Sequence, residues 1–491
     1  MNEDMNKLQN GSDIRGVALE GVSKEHVTLG AAESYAIGVS FAKWLSKLYD
    51  KDCSLLTISV GHDPRISAET LMHSMIKGLC SQNIRVLDAG LSSTPAMFMS
   101  TVFKSFNCDG AIMITASHLP YNRNGFKFFS KNGGLNKSDI KYILDHVKDG
   151  DYDADQECRL TSIKLLDVYS DYLKGLIVVD NPTPLKGLHI VVDAGNGSGG
   201  FFAKNVLEPL GADISGSQFL EPDGKFPNHQ PNPENKDAMK SISDKVKEVN
   251  ADLGLIFDTD VDRSAAVNSN GEEISRNSIV ALAAALGKDK HPGGTVVTDS
   301  VTSTELKNFL ELSLGLNHLR YKRGYRNVIN KGMEIPDCFL AIETSGHAAY
   351  RENHFLDDGA YLAVKIVIEA AKLKAQGLGI ETLIEDLKQP LESSEYRVLI
   401  DSDDFSEIGD NVILDLTKFA EETEGFSLEE PNYEGVRINF NGGWLMVRKS
   451  LHDPVIPINI ESSKEGGVEF AKKHLKELLI KYPELDISVL D

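Results

Sequence analysis

The densest chemistry in the sequence is DTDVDR, Asp258 to Arg263. It follows the apolar run Leu253–Phe257, which puts it at the carboxyl end of a strand. Alternate Asp258, Asp260 and Asp262 supply three carboxylates within five residues. Clustered anions repel unless a cation sits among them. Hard oxygen ligands suit Mg²⁺ or Ca²⁺. An EF-hand is excluded, because its Gly and Glu positions hold Arg263 and Ser269. Mg²⁺ commonly takes phosphate oxygens too, and the Arg263 guanidinium suits the same phosphate. The competing reading is a solvated acidic turn. Three carboxylates in register behind a buried strand favour the metal.

Three further segments carry reactive types. In TASHLPYNRNGFKFF, Thr115 to Phe129, a strand ends in a tight polar loop that exposes Ser117. No GxSxG elbow surrounds it, and His118 is too close in sequence to act as a triad base. Taken alone, Ser117 is better explained as a plain serine turn connecting two elements. In ETSGH, Glu343 and Ser345 are types that bind sugar hydroxyls, and His347 is a type that shuttles protons. A loop with a capping serine accounts for that segment equally well. In RKSLHDP, Arg448, Lys449, Ser450 and His452 gather donors in an acidic chain, as a phosphate cradle does. Taken alone, that segment reads slightly better as an ordinary strand-end loop. Gly195, Gly197 and Gly200 satisfy a dinucleotide fingerprint formally, but deep in the chain they read as a tight strand-to-helix turn.

Strands and helices alternate around these segments. Leu55–Val60, Ile84–Leu87, Ala111–Thr115, Leu188–Val192, Leu253–Phe257, Thr295–Thr298 and Phe339–Ile342 read as strands. Ala32–Lys47, Ser67–Leu79, Ser278–Leu286 and Tyr361–Ala375 carry helical spacing. This alternation predicts α/β domains with parallel or mixed sheets. Turn-rich breaks at Asp180–Gly187 and Gly287–Gly294, and a weaker one near Lys388–Ser394, predict domains at 1–185, 186–291, 292–390 and 391–491. The last reads as a strand-rich α+β module ending in the helix Glu465–Leu478.

Composition narrows the class. The 491 residues include 51 Lys+Arg and 73 Asp+Glu, for a net charge of −22. That argues against nucleic-acid binding and against anionic lipid surfaces, so cations for an anionic substrate must be local. The longest apolar run, Ile279 to Leu286, is far short of the roughly 20 residues that span a bilayer. The first ten residues lack the apolar stretch of a secretory signal, and a cytoplasmic location is expected. Cys53, Cys80, Cys108, Cys158 and Cys338 are scattered without a CxxC pair, and five reduced, mostly buried thiols are expected.

In combination and order, these motifs resemble the α-D-phosphohexomutases, the phosphoglucomutase/phosphomannomutase enzymes. The similarity covers nearly the whole chain. SDIRG (Ser12–Gly16), VGHDPRIS (Val60–Ser67), GLSSTP (Gly90–Pro95) and PDGKFPNHQPNPE (Pro222–Glu234) add to it. The resemblance implies three α/β mixed-sheet domains and a C-terminal α+β domain around a central cleft. It implies a phosphoserine at Ser117 and one Mg²⁺ on Asp258, Asp260, Asp262 and an oxygen of that phosphoserine. Arg15 and Lys127 match positions beside the phosphoserine, with Lys127 a candidate general acid/base and His347 a second. Gly324 and Tyr325 match a sugar-facing loop, joined by Arg263, Glu343 and Ser345. Arg448, Ser450 and His452 match the binder of the phosphate that is not transferred. Leu119 stands where the family motif has Asn, and Thr344 where dual-specificity members commonly have Met.

The implied reaction interconverts hexose 1-phosphate and hexose 6-phosphate, with glucose or mannose as the sugar. It runs through glucose 1,6-bisphosphate or its equivalent, which also serves as activator. Phosphoglucosamine mutase and hexose 1,6-bisphosphate synthase are alternatives within the family. A metal-dependent sugar phosphatase and a non-catalytic sugar-phosphate binder are the alternatives outside it. The expected partners are small-molecule hexose phosphates, with a monomer or homodimer as the assembly.

Overall fold

The computed structural model describes residues 4–147, 158–178, 181–402, 404–450 and 454–491. The chain forms two compact units, 1–286 with 345–383, and 287–344 with 384–491. The expected α/β class is observed, with a separate strand-rich region after residue 391.

In the first unit the main sheet runs in the order Gln9–Asn10, Asp13–Val17, Arg123–Ser130, Gly110–Ile114, Thr57–His62, Arg85–Leu91, Arg159–Ser162. Its centre is parallel, and Arg123–Ser130 folds back antiparallel on Gly110–Ile114 with Lys127 opposite Met113. Every residue of Gly110–Ile114 is buried, which explains its unbroken apolar run. Helices Ala31–Tyr49 and Ala68–Ser81 pack together over this sheet, with Ile37, Phe41, Leu71 and Met75 in the shared core.

A second sheet pairs Ile190–Asp193 with Leu253–Phe257 in parallel, and Leu253–Phe257 with Ser264–Asn268 antiparallel. The hairpin between the last two strands is the DTDVDR segment. Helix Lys236–Val249 covers this sheet with Met239, Ile242 and Val246. Asn235 caps its start, accepting from Ala238 N–H at 3.0 Å, and Asn250 ends it in a left-handed turn. The glycine run Gly195–Gly200 is a tight turn, closed by Gly197 N–H to the Ala194 carbonyl at 2.7 Å.

In the second unit Asn317–Tyr321, Thr295–Asp299 and Cys338–Ile342 lie parallel. Its other sheet has six strands with antiparallel neighbours, and helices Phe405–Glu422 and Gly467–Leu479 pack on it. No described helix is long and apolar enough to cross a membrane.

The cysteine expectation needs correction. Cys80 and Cys158 form a disulfide with Cα atoms 5.0 Å apart. Arg85 pairs with Arg159 in the main sheet, and this registration brings Cys158 beside the end of the helix that carries Cys80. Cys53, Cys108 and Cys338 are free, and burial pushes the Cys108 thiol up to about 11.

Candidate active site

Ser117 follows the buried strand Gly110–Ile114, but its loop does not project it into solvent as expected, since the residue is only 3 % exposed. Its φ is +49°, a left-handed backbone that costs a non-glycine residue about 1–2 kcal/mol. The Ser117 N–H donates to Thr115 Oγ1 at 2.8 Å. The Ser117 hydroxyl donates to Asp258 Oδ2 at 2.9 Å. The serine loop and the acidic hairpin are thereby joined at one atom pair.

Asp258, Asp260 and Asp262 are buried, and one oxygen of each lies within 4.8 Å of the others. Lys127 reaches in from its strand, with Nζ 2.8 Å from Asp260 Oδ2 and also bonded to Asp262. Burial, then the charges of Asp262 and Asp260, raise the Asp258 carboxyl well above its usual range. Burial acts in the same direction on Asp262, but the Lys127 and Arg263 charges override it and hold that carboxyl low. Asp260 Oδ1 and Asp262 Oδ1 are buried without a hydrogen-bond partner. Two such oxygens beside a third carboxylate and a serine hydroxyl make a hard donor set that fits Mg²⁺.

The hairpin is held from three sides. Thr94 N–H donates to the Asp260 carbonyl at 2.9 Å and Ser198 N–H to the Thr259 carbonyl at 2.8 Å. Gly359 N–H donates to the Val261 carbonyl at 3.0 Å. Val261 itself has φ +69°, an uncommon state for a β-branched residue. Gly359 opens the helix Gly359–Lys374, and a Cβ there would lie 2.6 Å from the Arg263 carbonyl carbon. Only glycine permits that approach.

Arg263 Nε donates to His347 Nε2 at 3.1 Å, and His347 Nδ1 is 2.8 Å from Ser345 Oγ. Glu234 Oε2 lies 3.7 Å from Arg263 Nη1. Arg15 lies on the strand beside that of Lys127 and bonds Asp13 at 2.7 Å. Burial, then the Arg263 and Arg15 charges, press the His118 pKa down to about 2, so His118 is a neutral neighbour of the serine.

The remaining candidates belong to the second unit; the chain passes between the units inside the ETSGH segment, after Thr344. Gly324 N–H donates to Glu343 Oε1 at 2.6 Å, and Tyr325 starts the helix Tyr325–Glu334. Thr344 Oγ1 donates to Asp299 Oδ2 at 2.9 Å. Burial, with a further push from Glu343 and relief from Arg323, raises Asp299 to about 7. Arg448 Nη1 is 3.8 Å from Glu434 Oε1, whose other oxygen accepts from Arg323 N–H at 3.0 Å. Ser450 N–H bonds the Val455 carbonyl at 3.3 Å. His452 lies outside the described residues. The second-unit candidates Glu343, Gly324 and Arg448 thus gather around Asp299, Arg323 and Glu434.

Sequence models for Phosphoglucomutase/phosphomannomutase, alpha/beta/alpha domains I, II and III match residues 6–153, 167–271 and 275–390. The chain belongs to this family. It is an enzyme of the isomerase class, an intramolecular phosphotransferase. A phosphomannomutase/phosphoglucomutase of Pseudomonas putida is 30 % identical over 478 residues, 97 % of this chain and 96 % of the relative. A phosphoglucomutase/phosphomannomutase of Thermococcus kodakarensis is 29 % identical over 98 % of this chain and 99 % of its own. A solved phosphoglucomutase/phosphomannomutase family protein of Burkholderia thailandensis shares the fold, with a TM-score of 0.82, 24 % identity and 98 % of each chain covered.

In this phosphohexomutase chain, several supporting residues have no motif of their own. Asp63, Arg65, Thr94, Gln230 and Glu234 fall inside segments that carried the resemblance, yet no role was assigned to them. Gln230 Nε2 donates to the His118 carbonyl at 2.7 Å. Asp63 and Arg65 lie in a turn right after the strand Thr57–His62, whereas Thr94, Gln230 and Glu234 follow no apolar run. Asp358 and Gly359 left only an Asp-Gly pair ahead of a helical pattern.

Proposed function

We propose that the chain interconverts hexose 1-phosphates and hexose 6-phosphates, with glucose, mannose or both as the sugar. The observation that carries this is the Ser117 hydroxyl, bonded to Asp258 beside two further buried aspartates and Lys127. Ser117 stores a phosphoryl group in the resting enzyme. A free hydroxyl of the sugar monophosphate takes it: the sugar oxygen–phosphorus bond forms, the Ser117 Oγ–phosphorus bond breaks, the hydroxyl proton passes to a base, and Ser117 Oγ takes up a proton to become the hydroxyl. The product is a hexose 1,6-bisphosphate. It turns over, and its other phosphoryl group returns to Ser117. This answers a geometric problem, since O1 and O6 lie at opposite ends of one hexose.

Asp258, Asp260, Asp262 and an oxygen of phosphorylated Ser117 would hold Mg²⁺. Bound there, the ion neutralises charge on the transferring phosphoryl group. Lys127 adds a cation at the same place and is the first candidate for general acid/base, with His347 the second. His347 also aims Arg263 through their hydrogen bond. Glu343, Ser345, Gly324 and Tyr325 are assigned to the sugar, and Arg448 and Ser450 to the phosphate that does not react. Glucose 1,6-bisphosphate primes Ser117 and so acts as activator.

Phosphorus NMR tests this with Mg²⁺, a trace of glucose 1,6-bisphosphate, and glucose 1-phosphate or mannose 1-phosphate in separate tubes. A 6-phosphate is expected, and the faster tube names the sugar. Inorganic phosphate without any 6-phosphate would replace the mutase by a hydrolase. Ser117→Ala is expected to show no conversion; wild-type-like turnover in that variant would remove the phosphoserine from the mechanism.

A further inference from the structure

Arg65 is among the largest fully buried side chains, and its guanidinium is spent almost wholly on the serine loop. Nη1 donates to the carbonyls of Pro120 at 2.7 Å and Arg123 at 2.9 Å. Nη2 donates to the carbonyls of Leu119 at 2.6 Å and of Ser117 itself. Nε lies 3.3 Å from Asp63 Oδ2, and that oxygen also accepts from Thr115 Oγ1 at 2.7 Å. Thr115 Oγ1 in turn accepts the Ser117 N–H. Both the amide and the carbonyl of Ser117 are therefore tied to the Asp63–Arg65 pair.

A second wall completes the arrangement. The Phe226 ring lies 5.1 Å from the Arg65 guanidinium. Gly224 packs so closely that a Cβ there would lie 2.2 Å from the Pro64 carbonyl oxygen and 2.8 Å from Arg65 Cα. Buried ion pairs contribute little net stability compared with apolar packing, so stability does not explain this one. Only a planar fork of five donors spans four carbonyls on two sides; a lysine ammonium has three donors at one point.

We propose that Arg65 is a positioning residue of the phosphoryl-transfer reaction. It holds Ser117 in its left-handed backbone, so that the side-chain oxygen stays aimed at the acidic hairpin in both halves of the cycle. The proposal rests on the mutase reading above and deepens it. A misplacement of the reacting atom by about 1 Å costs on the order of 100-fold in rate.

The experiment compares full-length wild type, Arg65→Lys and Thr115→Val by three readouts. These are kcat and KM for glucose 1-phosphate, thermal midpoint, and hydrogen–deuterium exchange of the peptide covering residues 114–122. For Arg65→Lys the expected result is a kcat lower by about 100-fold. KM stays within about threefold, and exchange quickens only in that peptide. Retained kcat in a folded Arg65→Lys protein overturns the proposal. So does faster exchange spread over the whole first unit, because that marks a general structural role. If Arg65→Lys does not fold, Thr115→Val decides. It cuts the link to the Ser117 amide without adding a charge, and about a tenfold loss of kcat with local exchange is expected; unchanged kcat and exchange overturn the proposal. Absence of any mutase turnover in the wild type would instead sink the functional reading, and the exchange data would still decide whether Arg65 fixes the loop.

Discussion

Ser117, Asp258, Asp260, Asp262 and Lys127 show how residue identity becomes geometry. The three aspartates were legible as a cluster because alternate spacing behind a buried strand brings their carboxylates together. Asp262→Asn should therefore weaken Mg²⁺ binding by at least about tenfold, as titration calorimetry would record. Arg448 is nine-tenths buried, and burial lowers its pKa while Glu434 resists that shift. Arg448→Gln should raise KM for the sugar phosphate by about 10–100-fold, because charge-assisted bonds to phosphate contribute about 1.5–3 kcal/mol. Steady-state kinetics should show kcat less affected. Arg65 was not legible at this scale. Its partners are backbone carbonyls, and a carbonyl has no letter in a sequence.

At the scale of elements, the seven expected strands and five expected helices all occur, with ends shifted by a few residues at most. Unbroken apolar runs such as Leu253–Phe257 were unambiguous because both faces are buried. Close approaches were hidden, because a short contact between a helix start and a distant hairpin leaves no periodicity. Gly359→Ala tests one of them. The added methyl meets the Arg263 backbone, so a loss of about 1–3 kcal/mol in denaturant unfolding is expected, together with weaker Mg²⁺ binding. The strand Val455–Ser462 carries a different liability. Glu461 is raised to about 7, chiefly by burial, against the pull of Arg437 and the Trp444 Nε1–H bond at 3.1 Å. Its folded pKa exceeds its unfolded value of about 4.3, so the native state holds the proton more tightly. The resulting stability is full below about pH 4 and fades as pH rises through about 7. Glu461→Gln keeps an acceptor for Trp444 and removes the titration. Unfolding free energies from urea titrations between pH 5 and 8 should fall less in the variant, by at most about 1.4 kcal/mol per pH unit.

The whole molecule combines a net charge of −22 with cations drawn into a few buried places, as an acidic enzyme for anionic substrates requires. Its class and its alternation of strands and helices were evident from the sequence. The Cys80–Cys158 bridge was not, because pairing across 78 residues depends on sheet registration that cysteine spacing does not encode. Thiol titration in denaturant should find three free groups before reduction and five after. Reduction or Cys158→Ser should lower unfolding stability by about 2–4 kcal/mol.

The first unit is discontinuous: the chain leaves it after Leu286 and returns at Ser345. The acidic hairpin is complete once Arg263 has been made, but His347 and Gly359, which close it, come later in the chain. At roughly 5–20 residues per second, translation needs about 5–20 s to supply them. For that interval the nascent chain carries three clustered aspartates without their final supports. The order of synthesis therefore favours late bracing of the acidic hairpin, and a chain truncated before residue 359 would lack its last brace.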